Sequence, residues 1–202
     1  MRPSTRRELV AGPAGRIECA IDVPDNHRGV ALVAHPHPLF GGTLDNKVVQ
    51  TLARSFVELG YATVRPNFRG VGATEGVHDE GRGELEDMAT VLAWAQGLYG
   101  DEPPVLAGFS FGSFVQTHLA QRVTPERMVL VGIAVKRFDA RPVPAGTLVI
   151  HGEVDETVPL ADVLDWARPQ ELPVIVVPGA DHFFHQRLNV IRSIVQSNWR
   201  GR

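Results

Sequence analysis

The sequence predicts an α/β fold with a mostly parallel central sheet and helices on both faces. Three observations predict it. Runs of strand length, rich in apolar and β-branched residues, recur along the 202 residues, and most are apolar almost throughout, as strands covered on both faces are. Segments of helical period lie between them, and strand followed by helix, repeated, is the pattern of a parallel sheet. No internal repeat, low-complexity tract or linker divides the chain. Residues 1–202 therefore read as a single domain, with residues 1–15 as an irregular N-terminus.

The predicted strands are Ile17–Val23, Gly29–Ala34, Ala62–Pro66, Val105–Phe109, Met128–Ile133, Thr147–His151 and Pro173–Val177. A first helix follows from Val48, Leu52 and Phe56 at spacing i+4, with Val49, Ala53 and Val57 beside them. Thr43 is placed to cap it and Gly60 to end it. Leu85, Met88, Ala89, Leu92 and Gln96 form a second stripe, closed by Gly97. Gly112–Arg122 and Leu160–Arg168 are shorter helical candidates, and Leu188, Ile191, Ile194 and Val195 mark the last one. In such sheets ligands bind at the carboxyl ends of the strands, so the residues just after each apolar run are the ones to inspect.

Composition narrows the function classes. Lys and Arg number 20 against 23 Asp and Glu, a net charge of −3, which argues against a nucleic-acid binder with a wide basic surface. Hydrophobic residues at 44% exclude a disordered chain. No window is long and apolar enough to span a membrane, and no apolar segment of signal-peptide type follows the basic stretch Met1–Arg7. The expectation is a soluble, cytoplasmic domain that binds neither nucleic acid nor membrane; a homodimer is allowed. Cys19, the single cysteine, can form no intrachain disulfide and reads as a small buried apolar residue.

The strand Val105–Phe109 runs into Gly108-Phe109-Ser110-Phe111-Gly112, a G-x-S-x-G pattern with a strand before it and a helix after it. That context is the one a nucleophile elbow requires: the glycines permit a turn too tight for side chains, and the helix N-terminus aims free N–H groups at the serine. A serine hydroxyl needs a base, and the base an orienting acid. The next strands supply them: Asp155 follows Thr147–His151, and His182 follows Pro173–Val177. His182 would take the serine proton, and Asp155 would hold the imidazole tautomer. His185 is a rival base and Glu156 a rival acid, whereas Asp181 adjoins His182 and points elsewhere. His151, at a strand end, reads as structural.

These residues carry a resemblance. The elbow Gly108–Gly112, the H-G-x-x-D-x-x-V-P stretch His151–Pro159, the G-x-x-H stretch Gly179–His182 and the loop Phe68–Gly76 resemble the α/β-hydrolase superfamily. More narrowly, His35-Pro-His-Pro-Leu-Phe-Gly-Gly42 is similar to a group of small bacterial hydrolases without a cap domain. The resemblance runs from about Ile17 to the C-terminus and implies an α/β-hydrolase fold, a Ser-His-Asp triad and no cofactor. Only 13 residues, Ala134–Gly146, join Ile133 to Thr147, too few for the cap often inserted there. An uncovered site follows, shaped by the loops His35–Gly42 and Phe68–Gly83.

The oxyanion hole would take one N–H from Phe111, after the nucleophile, and one from the loop beyond Ala34. Pro36 and Pro38 have no N–H. His37 stands where the resembled family places its donor, with Leu39 a close second and Phe40 still possible. Phe40, Phe111 and Phe183 are candidates for an apolar acyl pocket, while Phe109 and Phe114 read as core. Arg65 and Arg69 either hold a substrate carboxylate or pair with Glu75 and Asp79. Asp79, Glu80, Glu84, Glu86 and Asp87 read as the acidic start of a helix. His35-x-His37 is also a metal-ligand spacing, but no further ligand set accompanies it, so no metal is expected and His35 reads as a loop-shaping hydrogen-bonder. Serine in the elbow disfavours a dehalogenase, and the absence of a filter domain disfavours a peptidase. The function expected is hydrolysis of a small-molecule ester or thioester through an acyl-Ser110 intermediate. The alternative from another class is a hydrolase-fold protein that binds a ligand or partner without turnover.

Overall fold

The computed structural model describes residues 4–199. Its strands are β1 (Arg6–Gly12), β2 (Gly15–Asp22), β3 (Val30–Ala34), β4 (Ala62–Pro66), β5 (Val105–Phe109), β6 (Arg127–Val131), β7 (Leu148–Gly152) and β8 (Val174–Val177). They form one sheet in the order β1-β2-β4-β3-β5-β6-β7-β8. Every neighbouring pair from β4 to β8 is parallel, and β2 is antiparallel to both β1 and β4.

The strand β1 corrects the reading of the N-terminal stretch as irregular for residues 4–15; residues 1–3 of that stretch lie outside the described residues. Arg6–Gly12 pairs in register with β2, from Arg6 opposite Ile21 to Gly12 opposite Gly15. As an edge strand it buries only Val10, so its sequence lacks the apolar run that marks the inner strands. Arg6 pairs with Glu8 and Arg7 with Glu18, charges typical of a blunted edge.

The helices are α1 (Lys47–Glu58), α2 (Arg82–Tyr99), α3 (Phe111–Leu119), α4 (Leu160–Ala167) and α5 (Leu188–Trp199). Asn46, not Thr43, caps α1: its Oδ1 accepts from Val48 N at 2.9 Å and from Val49 N at 3.4 Å. The helix α2 runs through Gly97, an exposed glycine, and ends at Gly100. Its start is set by Glu84, a buried carboxylate at the third helical position that accepts from Gly81 N at 2.9 Å.

Side chains of the inner strands alternate between two cores. Val30, Leu32 and Ala34 of β3 join Met88, Leu92, Val115 and Leu119 from α2 and α3. Ala31 and Val33 join Leu52, Phe56, Ile191 and Val195 from α1 and α5. All are at most 2% exposed, and each larger apolar side chain so buried contributes about 1.5–3 kcal/mol.

Two polar devices hold the site-bearing parts. Gln116 on α3 donates from Nε2 to the carbonyls of Leu32 and Ala107, both at 2.9 Å, fastening α3 to β3 and β5. Arg69 makes a two-pronged pair with Asp87, at 2.6 and 3.0 Å, tying the loop after β4 to α2. Arg65 pairs with Asp22 at 3.0 Å. Neither arginine therefore takes the expected partners: Glu75 pairs with Arg16 and Asp79 with Arg82. The connection from β6 to β7 contains no helix or strand. Among the described residues, no helix is long and apolar enough to cross a membrane.

The corrected cap has a measurable consequence. Asn46→Ala should lower unfolding free energy by about 1 kcal/mol in urea titrations, and Thr43→Ala by clearly less. Equal losses would contradict the cap assignment.

Candidate active site

The site is built at the carboxyl ends of β3, β5, β7 and β8, as parallel-sheet geometry requires. Its centre is Ser110, between the last residue of β5 and the first of α3. Ser110 has φ 54° and ψ −116°, a left-handed conformation that a non-glycine residue adopts only under constraint. The constraint is close packing. A Cβ on Gly108 would collide with the backbone of Gly112 and Ser113, and one on Gly112 with the carbonyl oxygens of Ala34 and His35. Hydrogen bonds lock the turn: Ser110 N donates to Val131 O at 2.9 Å, and Ser113 Oγ to Gly108 O at 2.7 Å. Ser110 is left 8% exposed.

His182, in the loop after β8, places Nε2 3.1 Å from Ser110 Oγ and Nδ1 2.6 Å from Asp155 Oδ2. The other oxygen of Asp155 accepts from Thr157 N at 2.9 Å and Val158 N at 2.7 Å. That carboxylate is thus held by the loop after β7 and aimed at one imidazole nitrogen. His151 lies beneath it, bonded through Nε2 to Val158 O at 2.8 Å, and burial lowers its proton affinity below the ordinary imidazole value. The rivals lie apart from this chain: His185 pairs with Asp181 on the surface, and Glu156 is exposed. A hydroxyl, an imidazole and a carboxylate in series can move one proton off the hydroxyl and stabilise the resulting imidazolium.

The loop after β3 lies alongside. Buried His35 bridges Pro36 O, 2.6 Å from Nδ1, and Phe68 N, which donates to Nε2 at 2.9 Å. Nδ1 therefore carries the proton, and both nitrogens are committed to the loop, leaving none to ligate a metal. Burial pushes His35 down to about 4. Leu39 N donates to His37 Nδ1 at 3.3 Å and Phe40 N to His37 O at 3.1 Å, so both are spent within the loop. This corrects Leu39 as an oxyanion donor. The N–H groups of His37 and Phe111 donate to no other described residue.

The phenylalanines divide differently from expectation. Phe111 is fully buried among Phe68, Phe114 and Phe138, so it is core and not pocket wall. Phe40 and Phe183 are 70% and 48% exposed, packed on His37 and His182 respectively. Both lie at the surface beside those histidines. The sequence pattern does not mark three neighbours: His78, Phe138 and Arg137. His78 lies 4.8 Å from His37 between ring centroids and bonds through Nδ1 to Glu84 at 2.7 Å. Phe138, from the β6–β7 connection, covers Phe111 and stacks on Phe114 at 4.8 Å. An aromatic residue in so short a connection was the one available signal. A separate cleft of about 630 Å³ lies away from Ser110; of its four arginines, Arg7, Arg65 and Arg192 are paired with acids and Arg54 donates to Gln50 Oε1.

An eight-stranded, mostly parallel sheet with a strained serine at one strand end defines a class. Residues 37–145 match the family described as alpha/beta hydrolase fold, and the chain belongs to that family. It is 32% identical over 212 aligned positions to an uncharacterized protein of Rickettsia prowazekii, covering 93% of this chain and 89% of that one. Among solved structures it resembles an α/β serine hydrolase without lid from Xanthomonas campestris, with 35% identity, TM-score 0.91, and coverage of 98% of this chain and 94% of that one. It also resembles an α/β serine hydrolase homologue from Coxiella burnetii, with 37% identity, TM-score 0.88 and 96% coverage of both chains. The protein is accordingly a hydrolase of the α/β class.

Two outcomes test the geometry. Gly112→Ala should cost about 1–3 kcal/mol in denaturant unfolding, because backbone carbonyls cannot yield to the new methyl; a neutral effect would refute the close approach. The second concerns pH. His35 has a folded value of about 4 against an ordinary 6.5, so the unfolded chain binds the extra proton. Its contribution is complete above about pH 6.5 and lost as pH falls toward 4, by at most roughly 3 kcal/mol. Stability of the native protein should fall over that window more steeply than that of His35→Asn; parallel curves would contradict a buried neutral His35.

Proposed function

We propose that the protein hydrolyses small carboxylic esters or thioesters by two-step acyl transfer through an acyl-Ser110 intermediate. The observation that carries this reading is the unbroken chain Ser110 Oγ, His182, Asp155, with contacts of 3.1 and 2.6 Å. Ser110 Oγ attacks the carbonyl carbon while its proton passes to His182 Nε2. Asp155 holds the Nδ1–H tautomer and offsets the imidazolium charge. The carbonyl oxygen, now negative, takes the free N–H groups of Phe111 and His37, the first at the N-terminus of α3. His182 then gives its proton to the departing alcohol or thiol. Water, activated by the same nitrogen, attacks the acyl-serine and releases the acid. No step calls for a cofactor, and the partner is a small molecule.

A panel of p-nitrophenyl esters and thioesters graded by acyl length tests the reading. The wild type should turn over at least one member. Ser110→Ala should abolish turnover, and Asp155→Asn should lower kcat about 10⁴-fold by losing the correct tautomer. Undiminished turnover in Ser110→Ala would overturn the assignment of the nucleophile.

A further inference from the structure

The connection between β6 and β7 carries three cations, Lys136, Arg137 and Arg141. Two are neutralised nearby: Lys136 Nζ is 2.5 Å from Asp162, and Arg141 is 3.0 Å from Asp139. Arg137 has no carboxylate and no other hydrogen-bond acceptor in reach among the described residues. It is held instead by two aromatic rings, its guanidinium carbon 5.2 Å from the Phe40 centroid and 5.7 Å from that of Phe138. Those rings pack on the site itself. Phe40 lies 4.7 Å from His37, and Phe138 lies 5.8 Å from His37 and 5.1 Å from Phe111.

The guanidinium is therefore fixed beside the two residues that flank the oxyanion position. Both rings lie close to its carbon, and the residue as a whole is exposed. Stacked arginines of this kind are pre-organised to receive a planar anion. Apolar surface adjoins it: Leu39 is 69% and Phe40 70% exposed. Glu84 is engaged on His78 and Asp139 on Arg141, with Glu80 3.7 Å from His78.

We propose that Arg137 is a specificity-determining residue, and that the esters turned over at Ser110 carry a carboxylate beside an apolar chain. The proposal rests on the acyl-transfer reading above. One arginine offsets a single charge, whereas a phosphate monoester brings nearly two at neutral pH, so a carboxylate is the better match.

Two matched ester pairs test it. One pair, p-nitrophenyl hydrogen adipate and its methyl ester, varies charge on the acyl side. The other, 3-acetoxybenzoate and its methyl ester, varies it on the leaving-group side. The readout is the ratio of kcat/KM for the charged ester to that for the neutral one. In at least one pair Arg137→Gln should lower the ratio about fivefold. Arg137→Lys should retain part of it, and about 0.5 M salt should lower the wild-type ratio in the same pair. The affected pair shows which side of the ester carries the carboxylate. Ratios equal in wild type and Arg137→Gln for both pairs, with the neutral esters still hydrolysed, would overturn the proposal and leave acyl transfer standing. Failure of the wild type to hydrolyse any of the four through Ser110 would overturn the acyl-transfer reading, and this inference with it.

Discussion

The close approach of α3 to the ends of β3 and β5 is the constraint on which the rest of the structure depends. It is possible only because Gly108 and Gly112 present no side chains to the backbone around them. The consequence is a serine held at φ 54°, a conformation that costs of order 1–3 kcal/mol and persists because its surroundings leave no alternative. Ser113 and Gln116 contribute by bonding α3 to carbonyls of the sheet. Strain at Ser110 pushes its hydroxyl clear of the sheet and up to His182.

Around that fixed point, the loops after β3, β4 and β7 are each stiffened by a buried polar group of their own. Asp155 is bound by Thr157 N and Val158 N before it meets His182. The loop after β3 is pinned by His35 to the start of the loop after β4. Glu84 binds His78 and the N-terminus of α2, and His78 in turn packs on His37. A site assembled from loops can be as well defined as one on regular elements when its loops have such internal anchors. Where larger hydrolases place a cap, a short connection lays Phe138 over Phe111 and Arg137 over Phe40. Substrate contacts beyond the reacting carbonyl would come from this connection and from the exposed Phe40 and Phe183.

The sheet and its order of elements were legible because the inner strands are apolar on both faces, and Ala62–Pro66 and Val105–Phe109 have the expected bounds. Ser110, Asp155 and His182 stand out as candidates in the sequence because each comes shortly after such a strand, and the fold brings them within hydrogen-bond distance of one another. The edge strand β1 was not, since an edge needs no apolar run and Arg6, Arg7 and Glu8 disguise it. Thr43 and Asn46 are both good caps by residue type, and only the path of the loop distinguishes them. Arg65 and Arg69 found partners far along the chain, in Asp22 and Asp87, which spacing does not reveal. The same is true of His78, Phe138 and Arg137, brought to the site by tertiary packing alone.

The central claim is that Ser110 is the one activated nucleophile. It is tested most directly by treating the native protein with a fluorophosphonate, measuring its intact mass and mapping the adduct by peptide sequencing. The account predicts a single adduct on Ser110, formed rapidly in the wild type and very slowly in His182→Ala. An adduct on another residue, or labelling of Ser110 at the same rate without His182, would contradict it.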